Sequence, residues 1–98
     1  MPIQLSTGVA LAQTGPEGTM MGFSAIYQFV HGQPHPSIPY VWVIQRAQGT
    51  PARIPVRLNA EGNLLTYRPW RPEEGPFQAH FEDQSGTRLS DPIDLRQP

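Results

Sequence analysis

The side chains able to do chemistry are few, and their spacing limits what they can do. Three histidines are present, His31 and His35 in one proline-rich stretch (His31-Gly-Gln-Pro-His-Pro-Ser-Ile-Pro39) and His80 in a later alternating segment. Antiparallel strands would run His80 toward the same end as that stretch, so three imidazoles can converge on one ion. Closed metal sites usually add thiolates or carboxylates at tight spacing, and the chain has no Cys. The histidines are therefore read as solvated, with no metal and no cofactor expected. Glu73 and Glu74 are adjacent, which points them in opposite directions in an extended segment and prevents paired acid/base work. Ser90, Asp91 and His80 are the residue types of a hydrolytic triad, but no Gly-x-Ser-x-Gly elbow or glycine-rich oxyanion segment accompanies them. All seven basic residues are Arg, and the absence of Lys and Cys excludes Schiff-base and thiol catalysis. The sequence predicts a protein that is not an enzyme.

Charge narrows the partners. A net charge of -1 lacks the basic excess that nucleic acid or an anionic membrane surface would require. No stretch approaches the roughly 20 apolar residues needed to span a bilayer. Ala10-Leu11-Ala12 imitates a signal-peptidase site, but no basic residue precedes Arg46 and the apolar run is short, so this segment is read as strand. A small Cys-free domain points to a reducing, cytoplasmic compartment, or to an extracellular one if the chain is an excised domain.

The elements that must position these residues follow from composition. With 98 residues the chain makes one domain, residues 1–98. Twelve Pro and nine Gly exclude a helix bundle, and two Trp, four Phe and three Tyr supply the aromatic area of a packed core. The prediction is all-β, an antiparallel β-sandwich of about seven strands. The first lies within Ile3 to Leu11, with a break near Gly8. The second spans Thr19 to Val30, with Met21, Phe23, Ala25, Tyr27 and Phe29 on the core face. Tyr40 to Ile44 is apolar on both faces and reads as a central third strand. In the fourth, Ile54, Val56 and Leu58 face inward, and Pro55 marks an edge because it has no N–H for a ladder. Asn59 to Asn63 is predicted as a hairpin turn, with Gly62 supplying positive φ, and Leu64 to Tyr67 returns as the fifth strand. Arg68 to Glu74 crosses to the other sheet. Phe77, Ala79 and Phe81 face inward in the sixth strand, Asp83 to Gly86 turns, and Thr87 to Arg96 forms the seventh, bent at Asp91-Pro92.

This layout points Val41 and Val43 outward beside Gln78, His80, Glu82 and Arg88, with Ser90 and Arg96 on the same face. An apolar centre inside a polar rim suits a flat interface with a protein partner, a homodimer being the first version to test. The alternative is a carbohydrate or small-ligand binding module using Trp70, Tyr40 or the loop histidines.

The spacing resembles an immunoglobulin-type domain of the I-set kind. Glu17-Gly-Thr-Met-Met-Gly-Phe-Ser-Ala25 is similar to the second-strand pattern that leads to the first Cys, here Ala25, and Trp42 stands where the core tryptophan of that family would pack. Leu65, Tyr67, Trp70, Glu73, Gly75, Phe77 and Ala79 fall on the family spacing L-x-I-x-x-V-x-x-D-x-G-x-Y-x-C. Both Cys positions are Ala, which removes a bridge of typically about 2–4 kcal/mol. Phe77 replaces the corner tyrosine, so the hydroxyl bond of that motif is absent. The resemblance implies a buried Trp70 and an ion pair between Arg53 and Glu73. A second, vaguer resemblance is to small stand-alone bacterial β-sandwich proteins of unknown function, and it implies no activity.

Overall fold

The computed structural model describes residues 1–32 and 38–98. Seven strands run in chain order: β1 (Ile3–Gly15), β2 (Gly18–Phe29), β3 (Tyr40–Gln45), β4 (Ala52–Val56), β5 (Asn63–Arg68), β6 (Phe77–Glu82) and β7 (Ile93–Leu95). A single 3-10 turn, Pro72–Glu74, lies between β5 and β6. One sheet has the order β1-β2-β5 and the other β4-β3-β6-β7, all neighbours antiparallel. The prediction of an all-β, seven-stranded sandwich is met.

Strand alternation decides the core. Met21, Phe23, Ala25 and Tyr27 from β2, Trp42 and Ile44 from β3, and Phe77, Ala79 and Phe81 from β6 are buried together, with Phe29, Ile54, Val56 and Trp70 packed against them. Each large apolar side chain so enclosed contributes about 1.5–3 kcal/mol. The rings meet edge to face, Phe23 on Phe77 with centroids 5.1 Å apart and Tyr27 on Phe81 at 5.5 Å. Ala25 and Ala79 supply small positions among them. Pro55 lies on β4, an edge strand, as its missing donor requires.

β1 is longer than expected, and its irregularity falls between Leu5 and Thr7 rather than at Gly8. Gly8 has another use. Its carbonyl accepts the Arg96 N–H at 2.9 Å as β1 passes β7, and a Cβ there would run into the Leu95 side chain. The seventh strand is shorter than expected, reduced to Ile93–Leu95 after an isolated bridge between Glu82 and Arg88.

Three further expectations are corrected. Asn59 to Asn63 is not a hairpin turn, because β4 and β5 belong to different sheets. The connection is held by Tyr27, whose hydroxyl donates to Asn59 O at 3.1 Å and accepts the Asn59 N–H at 2.8 Å. Asn59 Oδ1 accepts the Gly62 N–H, and Gly62 takes φ +80 with no room for a Cβ against the Tyr27 carbonyl. Tyr27 thus anchors a corner of the sandwich from β2, whereas the family resemblance places its corner tyrosine at position 77, where this chain has Phe. Second, the two β5 residues that fall on the family spacing, Leu65 and Tyr67, are not the ones that face the core. Leu64 packs on the core, whereas Leu65 and Tyr67 are 54% and 44% exposed. The buried indole of Trp42 donates to Thr66 Oγ1 at 3.1 Å, so Thr66 must face inward and its neighbours outward. Third, Arg53 pairs with Glu82, and Glu73 pairs with Arg71.

Candidate interaction surfaces

Antiparallel register gathers the six predicted interface residues on the outer face of β4-β3-β6-β7. Val41 lies opposite Glu82, Val43 opposite His80, and Glu82 bridges to Arg88. On the other side of β3, Val43 faces Arg53 and Val41 faces Pro55. Their exposure divides them: Gln78 and Arg88 are open, Val41 is half-buried, and Val43, His80 and Glu82 are buried at 1%, 2% and 8%. The centre is an electrostatic chain. Arg53 Nη2 donates to Glu82 Oε1 at 2.6 Å, and Glu82 Oε2 lies 2.6 Å from His80 Nε2. The Arg53 hydrogen bond holds the Glu82 carboxyl below the usual carboxylate range, with burial opposing and the His80 bond adding to the effect. A second copy or partner docking here would remove little further apolar area from water.

The triad residue types do not converge on a usable nucleophile. Ser90 is fully buried, and its Oγ accepts the Phe81 N–H at 2.8 Å. Asp91 is exposed. Of the histidines, His31 is exposed, His80 is buried against Glu82, and His35 lies outside the described residues.

Trp70 is half-buried in the core, edge-on to Phe23 and parallel to Phe77 with centroids 6.0 Å apart. The Arg46 guanidinium sits over its ring, 4.4 Å from the centroid, and is fixed there by Glu74 Oε1 at 2.7 Å. Glu74 also accepts the Arg71 N–H at 2.7 Å, the chief reason its carboxyl titrates below the ordinary range. Arg46 thus occupies a place over the indole that a stacking sugar would need.

The outer face of β1-β2-β5 is different in kind. Its outward positions are Thr7, Val9, Leu11 and Gln13 on β1, Met20, Gly22, Ser24 and Ile26 on β2, and Asn63, Leu65 and Tyr67 on β5. None carries Asp, Glu, Arg or His. Leu11, Met20, Ile26, Leu65 and Tyr67 are 38–54% exposed. Gly22 lies between Leu11 and Tyr67 in register, and the Tyr67 ring passes close over the bare backbone there. Two shallow depressions mark this face. One, of about 550 Å³, is lined by Val9, Ser24, Ile26 and Leu65 and reaches Arg57 beyond the edge; the other, of about 370 Å³, lies by Met20 and Tyr67 at the β1–β2 turn. Sequence reasoning missed this face because it placed the apolar outward centre at Val41 and Val43 and gave Leu65 and Tyr67 no facing. The available signal was Met20 and Ile26, large apolar residues on the even positions of β2.

No helix among the described residues is long and apolar enough to cross a membrane. No family model matches the chain, and neither a curated protein nor a solved structure matches it significantly.

Proposed function

We propose that the chain is a non-catalytic protein-interaction domain built as an immunoglobulin-like sandwich. The observation that carries the reading is the uncharged, partly apolar outer face of β1-β2-β5. Contiguous apolar surface rimmed by polar groups is uncommon on a domain that works alone. The connectivity supports the immunoglobulin-like part. The first, second and fifth strands form one sheet, and the third, sixth and seventh lie together in the other. The fourth strand joins the third instead of the fifth, as one sheet-switching connection allows. The expected Val41–Val43 interface is the weaker version of the reading, because Val43 is already buried within the chain. A carbohydrate-binding role through Trp70 is disfavoured by Arg46 over the ring.

A photo-cross-linking side chain placed at Leu65, and separately at Val41, tests the proposal. The reading expects a discrete adduct at Leu65, identified by mass spectrometry and lost on Ile26→Glu. Absence of any adduct at Leu65 under conditions where the domain is folded overturns it.

A further inference from the structure

β5 is one edge of its sheet. The bond from the Tyr27 N–H to the Gly62 carbonyl, at 2.9 Å, fixes the phase of the β2–β5 ladder. Bonded pairs alternate along an antiparallel ladder, so Leu64, Thr66 and Arg68 spend their backbone groups on β2. Asn63, Leu65 and Tyr67 turn their N–H and C=O groups to the free edge. Folded proteins guard such edges with Pro, charge or a bulge. β4, one edge strand of the other sheet, is guarded: Pro55 offers no donor and stands between Arg53 and Arg57. β5 reads Asn-Leu-Leu-Thr-Tyr-Arg, and its outward side chains are uncharged.

We infer that β5 pairs antiparallel with β5 of a second copy, about a two-fold axis at Leu65, joining the two three-stranded sheets into one. This places a second copy at the edge of the sheet that carries the proposed interaction function, and rests on that reading. The outward face stays outward only in registers that pair odd with odd positions. Centred on Leu65, the pairing sets Leu65 against itself and Asn63 against Tyr67, so every free backbone group of the three residues finds a partner. Arg68 then falls opposite Gly62 of the second copy, beside its Glu61.

A separate observation selects this register. Arg68 Nε is buried without a hydrogen-bond partner, and Glu61 is exposed and makes no ion pair among the described residues. Each copy thus brings an unpaired carboxylate beside the accessible end of the other's Arg68, which makes no ion pair among the described residues, twice by symmetry. Centring on Thr66 instead would put Arg68 opposite Leu64 and lose both pairs.

The chain has no Cys, so Leu65→Cys introduces its only thiol. In a bonded pair the two Cα atoms lie about 5.5 Å apart, within disulfide reach. Asn63 of the two copies would be about 13 Å apart, beyond it. Mild oxidation is expected to turn Leu65→Cys into a covalent dimer while Asn63→Cys stays monomeric. In sedimentation experiments Glu61→Arg should weaken self-association by roughly tenfold or more, and Glu61→Arg with Arg68→Glu should restore it. Glu61 is exposed, so the single variant carries the test if the double one does not fold. Equal cross-linking at positions 63 and 65, or a wild-type chain that stays monomeric at all concentrations, overturns the inference. A monomer whose Leu65 cross-linker traps a different protein overturns the self-pairing and leaves the interaction function standing. A monomer with no adduct overturns both.

Discussion

The two outer faces of the sandwich solve the same problem in opposite ways. On β4-β3-β6-β7 the apolar centre expected around Val41 and Val43 is closed within the chain, its middle tied by Arg53, Glu82 and His80. On β1-β2-β5 no Asp, Glu, Arg or His stands among the outward strand positions, and Leu11, Ile26, Leu65 and Tyr67 remain in water. The contrast extends to the edges, where β4 has a proline and β5 has none. Apolar content in a strand does not by itself mark an interface. What matters is whether the neighbouring strands carry side chains that already enclose it.

The same substitution should therefore give different results on the two faces. Val43→Arg forces a charge into a buried position beside Arg53 and is expected to cost about 2–4 kcal/mol, read as a lower urea midpoint. Glu82→Ala removes the acceptor shared by Arg53 and His80. Because Arg53 is half-exposed, the expected loss is smaller, about 1–3 kcal/mol by the same measurement.

The pH dependence of that face has a definite sign. The Glu82 carboxyl titrates lower in the folded chain than in the unfolded one. Its contribution is present above the unfolded value and lost as pH falls through the folded one. Stability should decline below the ordinary carboxylate range, and Glu82→Gln should flatten part of that decline in acid denaturation curves. Smallest of all is the effect of Leu65→Arg on stability. The side chain is more than half exposed, so stability should change by no more than about 0.5 kcal/mol.

Much of the fold is legible in the sequence, because strict alternation leaves little choice. Met21, Phe23, Ala25 and Tyr27 read inward and are inward, as are Phe77, Ala79 and Phe81, and Pro55 marks an edge. β5 is where alternation fails. In Leu64-Leu65-Thr66-Tyr67 both phases contain an apolar residue, so hydrophobicity does not choose between them. The choice is made by a distant group, the Trp42 indole that needs Thr66 as acceptor. The family spacing falls on Leu65 and Tyr67, the phase that faces outward. The partner of Arg53 was equally out of reach, since Glu82 comes beside it only through the pairing of β4 and β6 with β3. The corner tie from Tyr27 to Asn59 likewise joins residues remote in sequence across a change of sheet.

Sedimentation velocity across a concentration series, run on the wild-type chain, Leu65→Arg and Val41→Arg, tests the assignment of the interface most directly. Val41→Arg is expected to associate as the wild-type chain does, and Leu65→Arg to sediment as a monomer throughout. Association that survives Leu65→Arg and disappears with Val41→Arg would contradict the account and place the interface on the opposite sheet.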